Sequence, residues 1–221
     1  MIKIENTEVF GWEAAIRGMR NPMNSWDKSD SDCKTIIRDS GRYIEDFIGP
    51  NDLALMKKLC NAGTDHRKFM RMINVTCDIT APRYWWTEFD TYKVGTVRNS
   101  CSTMHTITIK PFTLGDFSYE NLNPKEIDGC LHSGCKSVLI GLIDVLNGVR
   151  SDYVRTNNEF YWWQIIQLLP QSYNQRATVQ MNYEVLANMY YSRKNHKLDE
   201  WREFCKWVES LPYSELIRWW Q

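Results

Sequence analysis

The chain lacks the signatures by which several common enzyme classes are read. It contains no GxGxxG, no GxxxxGK[ST], no HExxH and no GxSxG, so dinucleotide folds, P-loop enzymes, zincins and hydrolase elbows have no support in it. Net charge is missing as well: 27 lysines and arginines balance 27 aspartates and glutamates. Without a basic field there is nothing to draw in a polyanion, and a nucleic-acid partner is not expected. No apolar run approaches the roughly 20 residues that a membrane helix needs. Met1–Glu8 carries no apolar targeting region, so the expectation is a soluble, cytoplasmic protein with no membrane partner. The seven cysteines are scattered and odd in number, which points to a reducing compartment and to no disulfides.

Aromatic surface, by contrast, is abundant. Ten tryptophans in 221 residues fit either an aromatic-rich core or a protein that hides surface in an oligomer. The length suits one core, and no linker interrupts it, so a single domain over 1–221 is expected. Residues 10–20 read as a short helix and 21–32, rich in Asn, Asp and Ser, as a loop. Asn51 and Asp52 are placed to cap a helix through Leu53, Met56, Leu59 and Cys60, which Gly63 ends. Ile73, Val75, Cys77 and Ile79 alternate with Asn74, Thr76, Asp78 and Thr80, the clearest strand pattern in the chain. Pro82 opens a helix bearing Trp85 and Trp86, and Gly95 breaks the path to a second extended stretch at His105–Ile109.

Further on, Val138, Leu139, Leu142, Ile143, Val145 and Leu146 stand at helical spacing within 137–149. An aromatic helix over 159–169 stops at Pro170. A helix from near Ala177 through Arg193 follows, and then an amphipathic one carrying Leu198, Trp201, Phe204, Cys205 and Val208. Leu216, Ile217, Trp219 and Trp220 form an apolar tail. Helix exceeds strand and there is no βαβ alternation, which defines an α+β class.

Three groups of residues suggest chemistry. On a helix running through 182–193, Asn182 and Arg193 share an azimuth with Leu186 and Met189. An arginine on such a stripe calls for an anionic or carbonyl partner, from a ligand or from a protein carboxylate such as Glu184, Asp199 or Glu200. Cys130, His132 and Cys135 offer three metal ligands but no second ligand pair at zinc-site spacing, so a loop of reduced cysteines is preferred and no metal is expected. Cys101 and His105 would pair as nucleophile and base only in a helix or tight turn. The alternative is a small cysteine beside an edge histidine.

Residues 50–217 resemble the flavin-dependent thymidylate synthases. The resemblance is carried by Leu169-Pro170 followed by Asn182, Asn188, Arg193 and His196 at the family's separations. Leu53–Met56 leading to Gly63-Thr64-Asp65-His66-Arg67-Lys68-Phe69 is similar to the helix, glycine and histidine before the family's first long strand. Ala81-Pro82-Arg83-Tyr84-Trp85-Trp86 is similar to its Arg-Gln-Trp stretch. The family's Arg-His-Arg signature is absent from the following residues, 87–105. In the closing run Asn99 and Ser102 match the family's Asn and Ser and His105 stands at its tyrosine, but Met104 replaces a phosphate-binding arginine. Ile166 replaces another arginine ahead of Pro170.

The resemblance implies a small, mainly antiparallel sheet flanked by a larger set of helices, in a homotetramer with shared active sites. It implies C5 methylation of deoxyuridine monophosphate (dUMP) with FAD as cofactor and with NADPH and methylenetetrahydrofolate as co-substrates. No cysteine nucleophile is needed in that chemistry. Arg193 would be catalytic, polarising the uracil. His66, Asn182, Asn188 and His196 would bind flavin, while Arg83, Asn99, Ser102 and Arg193 would bind the nucleotide. Lys93, Arg98 or Arg83 would have to replace the lost cations. The other expectations are a related C5 alkylation of a pyrimidine nucleotide, or a noncatalytic oligomeric nucleotide-binding scaffold that keeps the fold.

Overall fold

Asn74–Pro82 buries every second side chain, Val75, Cys77, Ile79 and Ala81, against polar neighbours on the other face. That period-two pattern makes it a strand at the middle of the sheet. The computed structural model describes residues 1–38, 41–122 and 134–218. In chain order the elements are β1 (Lys3–Phe10), α1 (Trp12–Arg20), β2 (Asp32–Arg38), β3 (Gly41–Phe47), α2 (Pro50–Asn61), β4 (Asn74–Pro82) and α3 (Arg83–Phe89). They continue with β5 (Val97–Ser100), α4 (Thr103–Thr106), α5 (Cys135–Thr156), α6 (Glu159–Leu168), β6 (Asn174–Asn182), α7 (Tyr183–Arg193) and α8 (Asp199–Glu209). An antiparallel sheet has the order β1-β4-β6-β5, and β2 and β3 form a separate hairpin pairing Asp32 with Phe47 and Arg38 with Gly41. The fold is α+β, as the residue pattern implies.

The chain divides into two compact units. The first holds Met1–Lys3, Ile79–Thr91 and Asn99–Thr178. Its core is an α5–α6 hairpin whose Leu139, Ile143, Leu146 and Ile165 pack with Ile107, Phe112 and Phe117. Asn147 fixes the incoming loop by exchanging two hydrogen bonds with the Phe112 backbone, at 2.8 and 2.9 Å.

The second unit holds Ile4–Asp78, Tyr92–Arg98 and the chain from Val179. Trp12 meets Tyr183 and Tyr213 edge-on at 5.2 Å, and Tyr183 donates its hydroxyl hydrogen to the Pro212 carbonyl. Asp52 does not cap α2. Pro50 starts that helix, because its missing N–H costs nothing there, and Asp52 points inward from the first turn. Its Oδ1 accepts from Arg20 Nε at 2.7 Å, while Oδ2 accepts from the Ser29 and Ser31 hydroxyls at 2.6 and 2.7 Å. Both charges are buried, Asp52 at 0% and Arg20 at 4% exposure. The remaining guanidinium nitrogens donate to the Ser25 and Lys28 carbonyls.

Two expected elements differ. His105–Ile109 is not a strand. Thr103–Thr106 forms the helical turn α4, with Thr106 Oγ1 bonded back to the Ser102 carbonyl at 2.6 Å, and the strand lies earlier at Val97–Ser100. Nor does a helix start near Ala177. Ala177, Val179 and Met181 are buried while Arg176, Thr178 and Gln180 are exposed, so the segment is β6, and α7 begins only at Tyr183. Cys130, His132, Trp219 and Trp220 lie outside the described residues. Among the described residues no group of His, Cys, Asp and Glu is placed to hold a metal, and no helix is long and apolar enough to cross a membrane.

Candidate functional site

The end of α6-to-α7 chemistry is set by where β6 stops. Asn182 is the first residue past the alternation, and its side chain caps α7 by accepting from the Val185 N–H at 3.0 Å. It therefore does not share a helical stripe with Arg193, and its carboxamide oxygen is already engaged. Its amide nitrogen faces Gly95, where an added Cβ would stand 3.0 Å from Asn182 Nδ2 and 2.8 Å from Val185 Cγ2. With φ at +78°, Gly95 is required twice over, by conformation and by close approach. Removing the cap by Asn182→Ala is expected to cost about 1 kcal/mol in denaturant unfolding, with Gly95 left in place.

The Gly95 approach lays residues 92–95 along α7 and brings Tyr92 to Arg193, the last residue of that helix. Arg193 Nε donates to the Tyr92 hydroxyl oxygen at 2.8 Å. The guanidinium carbon stands 4.6 Å from the Trp201 ring centre and 5.5 Å from that of Tyr92. The phenol oxygen and the two ring faces are contacts that suit a planar guanidinium and hold it in one orientation. Glu184 is not its counter-ion. That carboxylate is buried and bound by Arg67 at 3.3 Å and by Arg71.

His196 joins the same cluster, its ring 6.4 Å from Trp201, with Nδ1 accepting from the Leu198 N–H at 3.2 Å. Arg202 ties down the turn by donating to the His196 and Lys197 carbonyls at 2.7 and 3.0 Å. The structure thus gathers Arg193 and His196 around Trp201. Asn188 is an exposed residue of α7, and His66 is exposed in the turn after α2, next to the buried Arg67. Tyr92, Trp201 and the Arg67–Glu184–Arg71 network were missed by sequence reasoning. Tyr92, Arg67 and Arg71 have partners more than a hundred residues away, which no local pattern links, while Trp201 reads in the sequence only as part of the apolar face of α8.

Three expected nucleotide contacts belong to the first unit. Arg83, the first residue of α3, is half-buried, and its backbone N–H donates to the Tyr173 carbonyl at 3.0 Å. Asn99 is exposed on β5, and Ser102 is half-buried at the start of α4. Beside Ser102 lies a cavity of about 180 Å³ lined by Cys101, Thr103, Thr106, Lys110 and Asn174 among others. Lys110 is paired there with Asp116 at 2.6 Å, and the Asn174 carboxamide oxygen is buried without a hydrogen-bond partner. Burial alone would raise the Asp116 pKa, but its bonds from Lys110 and Thr113 outweigh that and hold it below the usual carboxylate range. Cys101 precedes α4 while His105 lies within it, so the two do not share a helical turn as a nucleophile and base would need. In the stretch without Arg-His-Arg, Phe89 is 1% exposed and stacked on Trp85 at 5.1 Å.

This arrangement of elements is similar to that of solved flavin-dependent thymidylate synthase structures. The chain matches the structure of the enzyme ThyX from Helicobacter pylori, complexed with FAD and dUMP, over 97% of its own length and 96% of that chain, with a TM-score of 0.66 at 16% identity. A second structure of the same enzyme with FAD and dUMP gives a TM-score of 0.65 at 16% identity, over 98% and 96% of the two chains. The UMP/dUMP methylase PolB from Streptomyces cacaoi, bound with 5-Br dUMP, gives 0.61 at 13% identity, over 99% and 95%. No protein-family model and no curated protein sequence matches the chain.

Proposed function

We propose that the protein is a flavin-dependent, thymidylate synthase-like enzyme that methylates dUMP at uracil C5. The observation that carries this reading is Arg193, a guanidinium oriented by Tyr92 and Trp201 at the end of α7, in a fold that matches such enzymes over nearly its whole length. A guanidinium so oriented would polarise a pyrimidine carbonyl and stabilise the negative charge that develops on the ring during C5 substitution. Asn188, His196 and His66 would hold FAD, with Asn182 contributing its amide nitrogen alone. These amide and imidazole groups suit a flavin, whose ring edge offers both donors and acceptors. When bound and reduced, FAD would supply the hydride, with the carbon from methylenetetrahydrofolate and the reducing equivalents from NADPH.

Arg83, Asn99 and Ser102 would contact the nucleotide, with Arg83, Lys93 or Arg98 replacing the two absent phosphate-binding arginines. The enzyme would act in the cytoplasm as a homotetramer.

A second reading, a noncatalytic nucleotide-binding scaffold, is favoured by one observation. Phe89 and its tryptophan neighbours fill the region after Arg83-Tyr84-Trp85 with packed rings, where the family carries cations. The PolB likeness keeps a related C5 alkylation of a pyrimidine nucleotide in view. The visible spectrum separates enzyme from scaffold. After incubation with FAD and gel filtration, a stoichiometric flavin band is expected; a colourless protein at high protein and FAD concentration would sink the flavoenzyme reading.

A further inference from the structure

The turn that carries His66 is held from beneath by charge. Gly63, at a φ of +103°, lets the chain fold back after α2, and its carbonyl accepts from the His66 and Arg67 N–H groups at 3.1 and 3.2 Å. His66 faces solvent, while Arg67 beside it is 5% exposed and pairs with Glu184, which is 7% exposed in the first turn of α7. Arg67 Nε donates to Glu184 Oε1 at 3.3 Å, and Arg71, from the short 3-10 turn Lys68–Arg71, donates to Oε2. That second bond, the Glu184 charge and then the Asp65 charge raise the Arg71 pKa. Both neighbours of His66 thus belong to one cluster centred on Glu184, Arg67 directly and Asp65 by way of Arg71.

Apolar packing of the same shape would hold this turn about as firmly, since buried ion pairs add little net stability. What the charges add is direction. A carboxylate between two guanidinium groups fixes how the turn lies on the helix, which an apolar contact does not. Glu184 also suits the first turn of α7, where the helix dipole favours a negative charge. Asn188 follows Glu184 by four residues and stands one turn further along the same face. Glu184 is buried under the arginines while Asn188 is exposed, so the cluster sets the His66 turn against the face of α7 that carries Asn188. We propose that Glu184 is a positioning residue of the flavin site, locking the His66 turn to α7 so that His66 and Asn188 address one ligand. This role rests on the reading of those two residues as flavin contacts, and it falls to a carboxylate that itself touches no ligand.

Changing Glu184 alone strands Arg67 in the core and confounds fold with site, so the test uses Arg67→Met with Glu184→Leu, which strands no charge. In this double variant the urea midpoint should stay close to that of the wild type, while FAD binds at least about tenfold more weakly, the worth of one misdirected hydrogen bond. The backbone amides of 63–68 should exchange with deuterium faster, with those of α8 unchanged. Arg71→Ala removes a mostly exposed arm and spares the buried pair, so it should fold whatever the double variant does and weaken FAD binding about threefold. A cluster that served the fold alone would move the urea midpoint and leave the FAD affinity of the folded protein unchanged. A wild type that binds FAD beside variants of equal affinity, or unchanged exchange at 63–68 in the double variant, would overturn the positioning role and leave the enzymatic reading standing. A wild type that binds no FAD would overturn that reading, and the role with it.

Discussion

Asp52→Ala is expected to lower the unfolding free energy by about 3–5 kcal/mol, the cost of leaving a buried charge unpaired. Arg20 is 4% exposed and has Asp52 as its carboxylate. Without that carboxylate its Nε and charge stay in the core, and the Ser29 and Ser31 hydroxyls lose their acceptor. Domain stabilities of 5–15 kcal/mol make this a large fraction of the total. Replacing both partners with apolar residues, as in Arg20→Met with Asp52→Leu, should recover part of the loss, because neither charge is then stranded.

The same carboxylate gives a pH dependence of known sign. Burial alone would raise the Asp52 pKa, but hydrogen bonds from Ser29, Ser31 and Arg20, with the Arg20 charge, outweigh it and bring the value below ordinary. A depressed folded value means that the stabilisation is present above pH about 4 and is lost as pH falls through the folded value. Urea unfolding of wild type and Asp52→Ala at neutral and acid pH checks both points. The gap between the two proteins should narrow in acid, and a gap that is constant or grows would contradict the assignment.

Arg193→Ala is expected to reduce dUMP turnover by roughly 10²–10³-fold, the usual effect of removing one donor aimed at developing charge, in a protein that still folds, the lost ring contacts accounting for about 1 kcal/mol of stability. Arg193→Lys keeps the charge but not the planar fork that lies on Trp201, so it should recover little of the activity. Kinetics and urea unfolding on the same preparations distinguish a site from a structural role. Global unfolding of Arg193→Ala would reassign the residue to the fold. Folded, fully active variants would remove it from the chemistry.

The parts of the fold that were legible in the sequence are those with a local period. β4 declares itself because Ile73, Val75, Cys77 and Ile79 alternate without a break, and α8 because Trp201, Phe204, Cys205 and Val208 repeat at helical spacing. β6 was read as helix because Ala177, Val179 and Met181 run straight into a true helix carrying Leu186 and Met189. The joint is marked only by Asn182, whose role as a cap is clear once the period is known to change there. The β2–β3 hairpin was passed over although Ser40-Gly41 separates Ile36-Ile37 from Tyr43-Ile44. At the candidate site, the resemblance selected Arg193 and His196, which the structure brings to one tryptophan. Tyr92 and Arg67 gave no such signal, because their importance lies in partners distant along the chain.

Tritium release from dUMP labelled at C5 tests the proposed chemistry most directly, since substitution at that carbon must expel its hydrogen. With FAD, NADPH and methylenetetrahydrofolate present, the expected result is release that depends on the protein and falls with Arg193→Ala. A folded, flavin-loaded protein that releases no tritium above the protein-free background would contradict it.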